Sequence, residues 1–215
     1  MHVFNRIKQD FWHGGYRYVS FVLLSLCLSL AGCEQTHPVL EPLPPGSTVL
    51  AFGDSLTYGT GASANEDYPS RLAKLTGLNV INAGVPGETS SEGLARLPAQ
   101  LDRYRPRVVI LLHGGNDILQ GLDPHGIENN LKQMIELARN AGTQVLLIAV
   151  PQRGLFLKPA PFYGDIAKQM DVVFEKDIIS EVLKDASLKS DSVHPNAEGY
   201  KHIAEQTSSY FKSAN

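Results

Sequence analysis

An apolar run that ends abruptly in turn residues decides the fold of this chain. The stretch reads Val49-Leu50-Ala51-Phe52-Gly53-Asp54-Ser55-Leu56-Thr57-Tyr58-Gly59. An apolar run of this length, bounded by turn residues, is typical of a buried strand. The carboxyl end of such a strand lies at the rim of an open α/β sheet, where ligands bind. Gly53 permits a tight turn at that rim, and Asp54 and Ser55 tolerate the geometry of a helix start.

Strands and helical patterns alternate from Thr48 onward. The predicted strands are Thr48–Gly53, Leu78–Ala83, Val108–Leu112, Gln144–Val150 and Val172–Phe174. Helical patterns cover roughly Tyr68–Thr76, Thr89–Tyr104, Ile127–Asn140, Ile166–Met170 and Pro195–Phe211. This alternation predicts a parallel sheet with right-handed crossovers, and the apolar strands indicate helices on both faces. We therefore predict one α/β domain over residues 48–215, a three-layer, doubly wound α/β/α structure of about five parallel strands.

The first 32 residues are predicted to be a secretory signal peptide. Arg6, Lys8 and Arg17 form a positive amino-terminal region, and the apolar run Val19–Leu30 is too short to span a bilayer comfortably. The run ends in Leu30-Ala31-Gly32-Cys33, which resembles the bacterial lipobox, in which the cysteine is lipidated and becomes the first residue. A plain signal peptide and an uncleaved anchor helix are the alternatives.

A lipid on Cys33 would anchor the mature chain to a membrane without making it span the bilayer. Residues 33–47 contain four prolines and are predicted to be an extended tether. We expect an exported protein of the bacterial envelope that faces the periplasm, and Glu34 after Cys33 favours the outer membrane by analogy with bacterial lipoproteins. The other cysteine, Cys27, lies in the removed segment, so the mature chain forms no internal disulfide.

The composition favours a single globular domain and argues against several classes of function. The chain has 215 residues, and its 43% hydrophobic content is enough for one sizeable core. The formal net charge is −3 and no Lys/Arg run occurs, which argues against nucleic-acid binding. The sequence lacks a His-Glu-x-x-His motif or paired histidines, so we expect no metal and no cofactor. We expect the mature domain to be a monomer.

Four short stretches rich in turn and polar residues fall at the carboxyl ends of predicted strands or in the last loop. They are Gly53-Asp54-Ser55, Asn82-Ala83-Gly84, Gly114-Gly115-Asn116-Asp117 and Asp191-Ser192-Val193-His194-Pro195. A right-handed parallel fold brings the carboxyl ends of all strands to one rim, so the first three stretches should converge. The fourth lies before the last helix and can fold back over that rim.

These four stretches resemble the conserved blocks of the SGNH, or GDSL, hydrolases, a family named for Ser, Gly, Asn and His. The resemblance runs from Val49 to about Ile203, with the blocks in the family's order. Residues 115–122 are most similar to the small exported esterases of the thioesterase/lysophospholipase and arylesterase type. The resemblance implies the flavodoxin-like fold of that family and serine-dependent hydrolysis of carboxylic esters in small-molecule or lipid substrates.

The residue types fit this chemistry, which needs a nucleophile, a base, an orienter for the base and donors for the oxyanion. Ser55 is the candidate nucleophile. His194 is the candidate base, because Asp191 lies three residues before it in a turn-like loop and would accept its Nδ1 proton. By the resemblance, the oxyanion would be bound by the backbone N–H groups of Ser55 and Gly84 and by the side-chain amide of Asn116.

Two other polar residues near these stretches are predicted to be structural. We expect Asp54 to fix its own loop, and we favour a structural role for His113. His125 and His202 are interpreted as solvated.

The substrate and the class of activity leave alternatives. The loops 118–125 and 154–163 should border the acyl pocket, and the apolar character of the second favours an acyl or aryl group and medium-chain over acetyl esters. An O-acetyl esterase acting on carbohydrate or cell wall is the alternative within the enzyme class. A non-catalytic envelope-binding lipoprotein and a flavodoxin-like cofactor binder are the alternatives outside it, although the segment after Ser55 fits a phosphate loop poorly.

Overall fold

A computed structural model describes residues 38–154 and 156–211 of the chain. The predicted signal peptide, Cys33 and the first part of the predicted tether lie outside these ranges. A single five-stranded parallel sheet has the order β2-β1-β3-β4-β5. Its strands are β1 Thr48–Gly53, β2 Asn79–Gly84, β3 Val108–Leu112, β4 Gln144–Ile148 and β5 Val173–Glu175.

Helices connect the strands and form two packed groups. In chain order they are α1 Ser55–Tyr58, α2 Tyr68–Thr76, α3 Ser90–Tyr104, α4 Gly115–Gln120, α5 Pro124–Asn140, α6 Pro161–Met170, α7 Ile178–Lys184 and α8 Ala197–Ser208, with a short 3₁₀ turn at Ala186–Leu188. Helix α8 packs against α2 and α7, whereas α5 packs against α3 and α6. The predicted three-layer α/β fold is confirmed.

The sheet also shows where a ligand should bind. The chain runs from β1 to its neighbour β2 and then crosses back to β3 on the other side of β1. The strand order therefore reverses between β1 and β3, and open α/β sheets bind ligands outside the strand ends at such a reversal. Both strands are apolar and almost entirely buried, so their ends are fixed by the core.

The predicted strands and long helices are present with ends shifted by a few residues. Three short helices, α1, α4 and α7, were not predicted. Helix α6 also begins at Pro161, earlier than the predicted Ile166, and proline is well suited to the first helical position. No helix within the described ranges has the length and apolarity needed to cross a membrane.

The predicted boundary between tether and domain at residue 48 is too late. Leu40 and Leu43 are buried in the main core, and the Glu41 N–H donates to Gln144 Oε1 at 2.7 Å. The prolines prevent a helix here, but the two leucines between them still gain stability by leaving water. The described part of the tether, residues 38–47, is thus packed onto the domain.

Candidate active site

Ser55 lies at the carboxyl end of β1, as predicted, and is the first residue of helix α1. Glycine is needed at position 53 for the close approach of β1 and β3, because a Cβ there would lie 2.0 Å from the carbonyl oxygen of Leu112. Asp54 caps the helix, its Oδ1 accepting the Leu56 N–H at 3.0 Å. Burial raises the pKa of Asp54, although the nearby His113 ring and the Leu56 N–H oppose that rise. The predicted role of Asp54 in fixing its own loop agrees with these contacts.

The structure brings Ser55, His194 and Asp191 together in one hydrogen-bonded row. His194 Nε2 lies 3.0 Å from Ser55 Oγ, although the two residues are 139 positions apart in the chain. His194 Nδ1 lies 2.8 Å from Asp191 Oδ2. With the proton on Nδ1, which donates to the carboxylate, Nε2 is free to accept the hydroxyl proton of Ser55.

Short-range hydrogen bonds shape the loop that carries Asp191 and His194. Asp191 Oδ1 accepts the N–H groups of Val193 and His194, each at 2.8 Å. The Ser190 N–H donates to the His194 carbonyl at 2.9 Å and closes the loop. Partial burial would raise the pKa of Asp191, but these N–H groups and the His194 ring outweigh it and hold the pKa below its usual value. The carboxylate facing the imidazole is therefore ionised at neutral pH.

Gly84 lies at the carboxyl end of β2, as predicted, but its N–H is not available to an oxyanion. Its N–H donates to Asn82 Oδ1 at 3.0 Å and is therefore already occupied. A Cβ on Gly84 would lie 2.1 Å from the backbone nitrogen of Tyr58, so glycine is needed here for the close approach of β2 and helix α1. The assignment of Gly84 as an oxyanion donor is wrong, and its role is packing.

Asn116 lies at the start of α4, after β3, and lines the same cavity as Ser55. Its Nδ2 donates to the carbonyl oxygen of Glu88 at 2.9 Å, which places residues 87 and 88 beside it. Gly87 has a φ of +81° with open space around its Cβ position, and its N–H has no hydrogen-bond acceptor among the described residues. Asn116 therefore lies where the sequence predicted it. Gly87 lies near it and was given no role from the sequence.

A buried polar network lies behind Asn116. Arg96 binds the Glu88 carboxylate with two hydrogen bonds, of 2.6 and 2.7 Å. His113 Nε2 lies 3.0 Å from the second oxygen of Glu88. Burial would raise the pKa of Glu88, but the bonds from His113 and Arg96 outweigh it and lower the pKa. Neither Glu88 nor Arg96 was predicted, since no local pattern links residues on a loop, a helix and a strand end.

A cavity of about 140 Å³ opens beside Ser55 and His194. Most of its wall is apolar, and the apolar lining residues include Leu56, Ile118, Leu119, Val150, Pro151, Leu157 and Val193. Both predicted pocket segments contribute, but Ile118 and Leu119 lie in helix α4 and not in a loop. Phe156 is 69% exposed and is absent from the lining. Within the described part of the chain, no group of three His, Cys, Asp or Glu side chains is placed to hold a metal ion.

Comparisons with known proteins agree with this geometry. The sequence profile of the GDSL-like lipase/acylhydrolase family matches residues 51–202. The thioesterase 1/protease 1/lysophospholipase L1 of Escherichia coli (strain K12) is 34% identical over 166 residues, which cover 74% of this chain and 80% of that protein. The arylesterase of Vibrio mimicus is 31% identical over 168 residues, covering 73% of this chain and 84% of that protein. The crystal structure of TesA aligns with a TM-score of 0.68 at 29% identity and covers 76% of this chain and 97% of that one. The chain therefore belongs to the GDSL-like lipase/acylhydrolase family, the SGNH hydrolases, and is an ester hydrolase of that family.

Proposed function

We propose that Ser55, His194 and Asp191 catalyse ester hydrolysis through an acyl-enzyme on Ser55. The single observation that carries the proposal is the row of two hydrogen bonds, 3.0 Å from Ser55 to His194 and 2.8 Å from His194 to Asp191. Ser55 Oγ attacks the ester carbonyl while His194 Nε2 takes its proton, and the same proton then leaves with the alcohol or thiol. Water, activated by His194, attacks the acyl-enzyme and releases the acid.

The oxyanion formed by this attack needs N–H donors on the side away from His194. We assign the backbone N–H of Ser55 and the side-chain amide of Asn116, which line one cavity. One Asn116 N–H is bound by the Glu88 carbonyl, and the second remains for the oxyanion. Gly87 directly precedes Glu88, whose carbonyl binds Asn116, and its N–H replaces that of Gly84 as the candidate third donor.

The cavity supports an acyl or aryl ester as substrate, with a medium-length chain preferred over acetyl. Its apolar wall would bury hydrocarbon at about 25 cal/mol per Å², so each added methylene strengthens binding until the cavity is filled. Relatives named thioesterase, lysophospholipase and arylesterase are compatible with this choice. A clear preference for acetyl esters would instead favour an O-acetyl esterase of carbohydrate or cell wall.

The proposal also includes export and anchoring through Cys33, supported by the lipobox-like Leu30-Ala31-Gly32-Cys33. The mature protein would be a lipoprotein of the bacterial envelope that faces the periplasm. Intact-mass analysis of protein isolated from bacterial membranes should show a diacyl or triacyl mass on residue 33. Cys33→Ser should abolish that mass and release the protein from the membrane fraction. The expected monomer is measured on the Cys33→Ser form by light scattering.

Kinetics on p-nitrophenyl esters test the enzymatic assignment. Ser55→Ala should lower kcat by about 10⁴-fold or more while the circular dichroism spectrum stays unchanged. Ser192→Ala is the matched control, since Ser192 lines the same cavity, whereas the hydrogen bonds of the His194 ring within the described residues go to Ser55 and Asp191. The octanoyl ester should be turned over with a higher kcat/KM than the acetyl ester. Turnover retained by Ser55→Ala at the wild-type level would refute the assignment of the nucleophile.

A further inference from the structure

Asn116 depends on a single carbonyl for its orientation. Its Nδ2 donates to the Glu88 backbone oxygen at 2.9 Å, and no other side-chain partner of Asn116 is found in the described ranges. An amide held at one N–H can aim the other only as accurately as its acceptor is placed. The position of residue 88 therefore sets the direction of a proposed oxyanion donor.

Glu88 is in turn held from two sides. Arg96 grips the carboxylate with two bonds, and one of its nitrogens also donates to the carbonyl of Ala83 at 3.0 Å. His113 approaches from the end of β3. The Gly114 N–H donates to His113 Nδ1 at 3.0 Å, so the ring proton is on Nε2 and is donated to Glu88. Both oxygens of the carboxylate are thereby fixed.

The imidazole of His113 is tightly packed on all sides that the following contacts describe. The side chain is fully buried, and a Cβ added to Gly93 on helix α3 would lie 2.3 Å from its Nε2. The Tyr163 hydroxyl donates to the His113 carbonyl at 2.6 Å. The Phe52 ring, which packs beneath Arg96, lies 5.8 Å from the imidazole. If this position served packing alone, an apolar side chain could occupy it. Burying a polar ring costs free energy unless its nitrogens make hydrogen bonds.

We propose that His113 is a positioning residue for the hydrolysis, acting through Glu88 on Asn116. Its Nε2–H fixes the Glu88 side chain and, with Arg96, holds the 87–88 backbone at the one place where the Asn116 amide faces the cavity. This inference rests on the proposed function, since it gives Asn116 the role of an oxyanion donor. It adds a residue that contacts neither substrate nor the reacting atoms, and His113 does not line the cavity.

A double-mutant cycle between His113 and Asn116 tests the proposal on p-nitrophenyl ester hydrolysis. His113→Leu should lower kcat about tenfold with KM changed less than twofold, a smaller loss than the roughly 10²–10³-fold expected for Asn116→Ala, which removes the donor itself. In the Asn116→Ala background, His113→Leu should change kcat less than about twofold, because the group that it positions is gone. His113→Gln keeps a donor toward Glu88 and should recover kcat to within about threefold of wild type.

Controls separate positioning from loss of stability and from failure of the proposed function. Thr143→Val removes another buried bond, Thr143 Oγ1 to the Pro106 carbonyl at 2.8 Å, before β4, and should lower Tm without changing kcat. If His113→Leu does not fold, His113→Met is the second apolar variant. A full tenfold loss in the Asn116→Ala background, an unchanged kcat in folded His113→Leu, or no recovery in His113→Gln would each overturn the proposal. Turnover in Ser55→Ala, assayed in parallel, would instead refute the proposed function.

Discussion

The two halves of the candidate site are built in opposite ways. The proton-transfer half, which consists of Asp191 and His194, lies near the surface, with 52% of the Asp191 side chain and 19% of the His194 side chain exposed. The oxyanion-donor half consists of Asn116 and the network behind it. That network is buried, with 6% of the Glu88 side chain and none of the His113 side chain exposed. Bonds within the first half are mostly between residues two or three positions apart in the chain, whereas the bonds to Glu88 in the second half come from residues 8, 25 and 28 positions away. Changes in the first half should therefore affect rate alone, and changes in the second should affect rate and stability together.

Of the changes that distinguish the two halves, Asp191→Asn should have the largest effect on rate, without an effect on stability. The Asn oxygen can still accept the N–H groups of Val193 and His194, but its NH₂ would face His194 Nδ1 and favour the wrong tautomer. We expect kcat to fall by about 10²–10⁴-fold and Tm to stay within about 2 °C of wild type. A large fall in Tm would show that the loop needs the charge to fold, which would remove the contrast between the two halves.

In the buried half, Arg96→Met should reduce both stability and rate. It leaves the Glu88 carboxylate paired with His113 alone and removes the cation above the Phe52 ring. Breaking a buried ion pair by removing one partner costs about 3–5 kcal/mol, and the partial exposure of Arg96 puts this case at the lower end. Arg71→Met is the control, because its pair with Glu66 is more open, at 3.7 Å, and should cost less than about 1 kcal/mol in urea unfolding. Equal costs for the two variants would contradict the account.

A pair of glycine substitutions sharpens the comparison. Gly164 lies in α6 with open space around its Cβ position, so Gly164→Ala should stabilise the protein by about 0.5–1 kcal/mol. Gly93 is also helical, but the same change would press a methyl group onto His113 and should destabilise by about 1–3 kcal/mol. Denaturant unfolding measures both. Stabilisation by Gly93→Ala would mean that the His113 ring has room to move.

The smallest effect is a dependence of stability on pH. The folded-state pKa of Glu88 is lowered, so its ionised form stabilises the fold above the unfolded value of about 4.3, and this contribution is lost as pH falls through the folded value. The Tm difference between wild type and Glu88→Gln should therefore be full at pH 7 and shrink below about pH 4. A difference that grows on acidification would have the wrong sign for this network.

The sequence was sufficient for the parts that depend on apolar patterning and turn chemistry. Buried strands such as Val108–Leu112 read as strands because both faces are covered, and the rim positions of Ser55 and Asn116 follow from the parallel topology. Local spacing also predicted that Asp191 and His194 act together. These contacts are either short-range or imposed by the sheet.

The errors arose where a contact depends on the path of the backbone. Gly84 and Gly87 are both loop glycines in the sequence, and only the bond from Gly84 to Asn82 shows which N–H is occupied. The network of Glu88 with Arg96 and His113 joins three elements and leaves no periodic signal. The leucines of the predicted tether were missed because proline content predicts an extended backbone but not whether that backbone packs.

The central claim is that the Ser55 hydroxyl is the nucleophile activated by His194, and covalent labelling measures this most directly. A fluorophosphonate should phosphonylate the protein once, and peptide mass spectrometry should locate the added mass on Ser55. Labelling should be absent in Ser55→Ala and slowed by about 10³-fold or more in His194→Ala. A label on another residue, or labelling of His194→Ala at the wild-type rate, would contradict the account.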